Sequence, residues 1–135
     1  MNKYFIAWGA TTVVMVALDL LWLGVVAKPY YQQSIGHLLT AQPRIAVIIL
    51  FYALYALGLV IFAVIPQGGS SGLLQTALYG AMFGFFAYAT YDLTNLATLK
   101  GWPIGIALLD MAWGTLVSTV SASVGKYAVD WFTKT

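Results

Sequence analysis

Three aspartates lie deep inside apolar stretches: Asp19 within residues 4–27, Asp92 within 73–99 and Asp110 within 104–124. These stretches, and a fourth over 45–65, are each about 20 residues or more, enough for a helix to cross a hydrocarbon core about 30 Å thick. Each carboxyl at mid-membrane costs about 2.5–3.5 kcal/mol, so three of them in so short a chain need a reason. Only 7% of the 135 residues are charged and 61% are hydrophobic, with mean hydropathy +0.86. Soluble domains carry roughly 25% charged residues, so this chain cannot cover a globule with polar surface. It predicts one all-α integral membrane domain over residues 1–135, a four-helix bundle with spans at about 4–27, 45–65, 73–99 and 104–124.

The net charge of +2 and the absence of a basic stripe speak against a nucleic-acid partner. The chain has no cysteine, which removes disulfides, thiolate metal sites and a cysteine nucleophile. The N-terminus resembles a secretory signal, down to the small residues Val25, Val26 and Ala27. Its apolar run is too long for one, however, and Asp19 interrupts it, so it reads as a first span.

Lys28 and Pro29 end span one. In the connector 29–43, Tyr31, Ile35, Leu38 and Leu39 recur at helical spacing, which predicts a short helix in the interface plane. Span two follows Arg44 and gives way to an uncharged loop, 66–72. Lys100-Gly101-Trp102-Pro103 is a helix-stop, helix-start signal that sets spans three and four antiparallel and adjacent. Beyond Val124, Lys126, Tyr127, Asp130, Trp131 and Lys134 read as an amphipathic tail at the opposite interface, leaving both termini on one side. Lys3, Lys126 and Lys134 on the terminal side balance Lys28, Arg44 and Lys100 on the other. The positive-inside rule therefore returns no orientation. The free amino group tips the termini toward the cytoplasm, and such a tie is also what dual topology would produce.

Counting from the boundaries reveals a layer. Asp19 lies nine positions before Lys28, Asp92 eight before Lys100, and Asp110 seven after Pro103. All three fall roughly 10–14 Å in from the same side, with Tyr52, eight positions after Arg44, at that level. Small or polar stripes mark the faces that should pack: Asp110, Gly114, Ser118, Ser121 and Gly125 on span four, Ala81, Gly84, Tyr88, Asp92 and Asn95 on span three, and Thr12, Met15, Asp19 and Trp22 on span one. No Lys, Arg or His lies inside a span to neutralise the acids. They must carry protons, share a water-filled cavity or hold a cation, which makes proton relay, ion site and hard-metal site the open alternatives.

The candidate ligand-, proton- or cation-binding residues are Asp19, Asp92 and Asp110, with Asn95, Tyr52, Tyr88 and Trp113; Asp92 and Asp110 would carry any metal. Against this stands helix glue, a protonated acid bonding between helices for about 0.6–2 kcal/mol. For the tyrosines and Trp113 the plain alternative is aromatic packing, and for Trp22 and Trp102 it is interfacial anchoring. The Asp19-x-x-Trp22 and Asp110-x-x-Trp113 pairs form a short repeat. His37, the one histidine, lies on the connector, where an exposed side chain is the ordinary outcome. No Walker loop, dinucleotide fingerprint, Gly-x-Ser-x-Gly elbow or His-Glu-x-x-His motif is present, and Ser118 and Ser121 lack a histidine or lysine at their depth. No cofactor is implied.

At Leu18–Gly24, Gly36–Leu39, Tyr88–Leu99 and Asp110–Thr115 the chain resembles the bacterial domain-of-unknown-function family number 2177, over essentially its whole length. The resemblance implies a small inner-membrane protein with four spans and brings no activity, cofactor or catalytic residue with it. Members of that family resemble parts of gene clusters with fatty-acyl-modifying enzymes, which implies lipid chemistry nearby. The leading expectation is binding, or proton- or cation-coupled transport, of a small solute or amphiphile by a homodimer in the lipid bilayer. The antiparallel pairing of small multidrug transporters is an analogy of size. The alternatives are an enzyme or accessory subunit acting on membrane lipids, which predicts a site open laterally to lipid, and a structural partner.

Overall fold

The computed structural model describes residues 3–67 and 72–133. Residues 68–71 of the expected loop and Lys134 of the expected tail lie outside them. Helix α1 (Lys3–Leu21) continues through a π-helical turn, Trp22–Val26, closed by Ala27 N–H donating to the Trp22 carbonyl at 2.7 Å. Pro29, whose fixed φ suits a first helical turn, starts the short helix α2 (Lys28–Ile35). After an extended segment come α3 (Ile45–Leu59), with its own π-helical continuation Val60–Val64, then α4 (Leu73–Thr98) and α5 (Ile104–Phe132). No strand occurs among the described residues. Among the described residues, three helices are long and apolar enough to cross a membrane: Lys3–Val26, Ile45–Gln67 and Ile104–Phe132. At 26 residues α4 is about 39 Å long, but it is more polar.

The helices are inverted relative to a soluble bundle. Leu, Ile, Val and Phe are broadly exposed, while Thr11, Asp19, Thr76, Asp92, Ser118 and Ser121 are buried beside Ala7, Met15, Ala56 and Ala63. Lipid tails are as apolar as leucine, so helices associate through close packing of small residues and through polar contacts. The stripes expected on α1, α4 and α5 are indeed the packed faces. Helices α4 and α5 form the most extensive pair, with α1 against α5 next. Two glycines make the α4–α5 approach possible. A Cβ at Gly84 would strike the Gly114 carbonyl and the Ser118 hydroxyl, and one at Gly114 would strike the Tyr88 ring. The turn between the helices needs Gly101, whose φ of +72° is left-handed.

Three expectations gain detail. Helix α5 continues beyond the expected span-four boundary near Val124 to Phe132, so the expected tail is helical. Polarity there marks a boundary of the apolar run, and no residue breaks the helix. Lys126, expected on the amphipathic tail at the interface, is 2% exposed, packs near Gly72 and pairs with Asp130 at 2.6 Å. Tyr127 and Trp131 stack beside it on the outside, with centroids 6.4 Å apart. Finally, α2 docks against the α4–α5 turn through Tyr31 and Ile35, which meet Trp102, Ile106, Ala107 and Leu96. Gly36 begins a 3₁₀ turn that carries Leu38 and Leu39 away from this face, and both are exposed.

Gly114→Ala is expected to lower the melting temperature in detergent, at a cost of about 1–3 kcal/mol from overpacking against Tyr88. Gly9→Ala, where nothing lies within 4 Å of the added atom, should not lower it.

Candidate functional site

Asp19 is where three helices are tied together. The Tyr52 hydroxyl on α3 donates to its Oδ2 at 2.6 Å, and Trp113 Nε1 on α5 donates to its Oδ1 at 2.7 Å. Trp22, one turn on from Asp19, stacks flat on Trp113 with centroids 4.5 Å apart and planes 5° from parallel. The two Asp-x-x-Trp segments are therefore joined across the bundle, the tryptophan of one to the aspartate of the other. Neither Trp22 nor Trp102 is a free interfacial anchor. Trp102 is 8% exposed and meets Tyr91 edge-on at 5.9 Å beneath α2.

Asp110 receives its hydrogen bond from the connector: Tyr31 Oη donates to Oδ1 at 3.0 Å. Burial first, and the Asp110 carboxylate second, push the Tyr31 phenol up from its ordinary value, so it keeps its proton and stays a donor. Asp92 lies close enough to Asp110 to interact with it. It is 0% exposed, and neither of its oxygens has a hydrogen-bond partner among the described residues. One proton held between the Asp92 and Asp110 carboxyls would relieve two facing acceptors.

Asp19 and Asp110 open onto a cavity of about 510 Å³. Its lining is Asp19 and Leu23 from α1, Phe51, Tyr52 and Tyr55 from α3, Ala87, Tyr88 and Tyr91 from α4, and Asp110 and Trp113 from α5. The floor is closed where Tyr55 meets Phe83 and Tyr88 edge-on at 5.2 and 6.0 Å and shares a 2.7 Å hydrogen bond with Ser118. From there α3 and α4 separate: α4 packs on Val60–Val64 and barely touches α3 itself, and α3 has no buried residue before Tyr55. Phe51 and Tyr91, on the two rims of this gap, are 43% and 53% exposed.

Of the residues singled out in the sequence, Asp19, Asp110, Tyr52, Tyr88 and Trp113 share this cavity, while Asp92, Asn95 and the exposed His37 lie outside its lining. No three His, Cys, Asp or Glu side chains among the described residues group closely enough to hold a metal ion. Sequence reasoning passed over Phe51, Tyr55, Tyr91 and Leu23 as lining residues. Tyr55 and Tyr91 lie three positions from Tyr52 and Tyr88, and Leu23 four from Asp19, so helical spacing carries the signal. Tyr31 has no such signal, because its role depends on how α2 folds back.

The bundle and its intramembrane acids define a helical membrane protein built around a polar-headed cavity. The chain belongs to the DUF2177 family, described as a predicted membrane protein, whose model matches residues 4–127. No curated protein and no solved structure matches it.

The two buried acids respond differently to amidation. Asp19→Asn should destabilise the protein by about 1–3 kcal/mol, because one amide group then faces a donor it cannot accept from. Asp92→Asn should leave stability unchanged or raise it, since the amide brings a further donor to the Asp110 carboxyl, which accepts from Tyr31 alone. Unfolding of both variants in mixed detergent micelles reads the difference.

Proposed function

We propose that this protein binds a small solute or amphiphile in the 510 Å³ cavity and carries it within or across the membrane, with Asp110 and Asp19 as the polar end of the site. The observation that carries this is the pairing of two carboxyls with a largely aromatic cavity that opens between α3 and α4. Helix glue accounts for it less well. Asp92 faces another acid, Asp110, rather than a neutral donor, and a packed structural bundle has no use for so large an opening. In this reading α4 crosses the membrane because it lies along α5. That gives four spans with both termini on the cytoplasmic side of a bacterial inner membrane. Asp92 shares a proton with Asp110 and couples guest binding to proton release. Tyr31, Tyr88, Tyr91 and Asp19 are the other titratable groups around Asp110.

With α3 and α4 both crossing the membrane, a gap between them would face lipid, which also favours a second reading, an enzyme or accessory subunit acting on membrane lipids, with Asp19 and Asp110 as acid and base. Chemistry would then require a lipid to change mass in the presence of the purified protein, whereas a carrier returns its guest unaltered.

Native mass spectrometry of the protein taken from its membrane is expected to show a discrete adduct on the wild type, reduced at least tenfold in Asp110→Asn and retained in Asp92→Asn. The expected homodimer is read in the same spectrum. Equal adducts on wild type and Asp110→Asn would contradict the proposal.

A further inference from the structure

The cavity's chemistry narrows the class of guest. Six aromatic rings share its walls with Asp19 and Asp110, and no Lys, Arg or His contributes to the lining. The boundary cations Lys28, Arg44 and Lys100 are exposed and lie outside that lining, and the Lys126–Asp130 pair belongs to the far end of α5. Three of the wall's donors are already engaged: the Tyr52 hydroxyl and Trp113 Nε1 on Asp19, the Tyr55 hydroxyl with Ser118. Besides the Tyr88 and Tyr91 hydroxyls, the wall therefore offers a guest ring faces, which carry negative potential, and carboxyl oxygens. Asp110 accepts from Tyr31 at Oδ1, and the neighbouring Asp92 brings no donor beyond the proton the two acids share.

An anionic guest would meet two carboxyls and few free donors. A neutral apolar guest would fill the volume but leave the acids without a counter-charge in a medium where that is costly. A cation on an apolar body satisfies both halves, because ring faces and carboxylates attract the same charge. At 510 Å³ the space lies within the range of small-molecule sites, about 300–1,000 Å³.

We propose that the cavity takes an organic cation, an amine or quaternary ammonium on an apolar body, which enters from the bilayer between α3 and α4 and rests its charged head against Asp110. This rests on the reading of the cavity as a binding site and adds the sign of the guest's charge.

The test uses the full chain in nanodiscs and three probes of similar shape: tetraphenylphosphonium, tetraphenylborate and neutral triphenylphosphine oxide, with empty nanodiscs as background. Saturable binding of the phosphonium is expected, at least tenfold tighter than either comparator. It should weaken at least tenfold in Asp110→Asn and be unchanged in Lys100→Gln, whose side chain lies in the exposed turn. The comparison of probes needs only the wild type, so it stands even if Asp110→Asn fails to fold. Similar saturable binding of all three probes would overturn the charge preference while leaving a binding cavity. Saturable binding of none would overturn the cavity as a binding site as well.

Discussion

A carboxyl group within an apolar bundle has to be satisfied by the protein itself, and the way Asp19 achieves this shapes most of the molecule. Its two oxygens accept from Tyr52 on α3 and Trp113 on α5, so one residue of α1 fixes the rotation of two neighbours. Trp22 reinforces the contact by stacking on Trp113, and Trp8 Nε1 donates to the Ala53 carbonyl at 3.1 Å lower on the same α1–α3 seam. Two interhelical hydrogen bonds in a membrane are worth roughly 1–4 kcal/mol together, comparable with the about 2.5–3.5 kcal/mol that Asp19 costs to insert. By the same reasoning Asp110, with one such bond, is undercompensated and Asp92 more so. The acids are thus unequal: one holds the bundle, and the other two, which face each other, have fewer donors than acceptors around them.

The rest of the architecture follows from where α3 can and cannot touch its neighbours. At Gly58 the Phe83 ring sits against the backbone, and the two helices converge. Beyond it Tyr55, Tyr52 and Phe51 on one side face Tyr88 and Tyr91 on the other. These rings are too large to allow close approach, and there is no glycine at this level of α3 to relieve them. The cavity is the space those side chains hold open. At the opposite end the packing is the reverse: Gly125 lies against Thr11 and Ala7, and Gly80 against Ala122. The bundle is tight at one end and hollow at the other, with the acids at the hollow end.

Much of this was legible in the sequence because helical rise is fixed. Counting from Lys28, Arg44, Lys100 and Pro103 placed Asp19, Tyr52 and Asp110 at one level, and the structure brings them to one cavity. Depth is readable from boundaries, whereas rotation depends on contacts. Asp92 shows the difference: four positions after Tyr88 it is turned only about 40° from it, yet that is enough to move it from the cavity wall to the interface with α5. The fold of α2 was half legible. Tyr31 and Ile35 pack as their spacing implies, but the turn at Gly36 separates Leu38 and Leu39 from them. The length of α5 was hidden because polarity beyond Val124 resembles a helix end while no helix-breaking residue enforces one.

The central claim is that side chains from separate helices meet at one level inside the bilayer, around a cavity that opens sideways. Because the chain has no cysteine, a spin label at Phe51→Cys or Tyr91→Cys reports from one position alone. Collision rates with lipid-soluble oxygen and with a water-soluble nickel chelate give the depth and the surroundings of each rim. Labels at matching depth, both reached by oxygen in preference to the chelate, are what the account predicts. Labels at unrelated depths, or reached chiefly by the chelate, would contradict it.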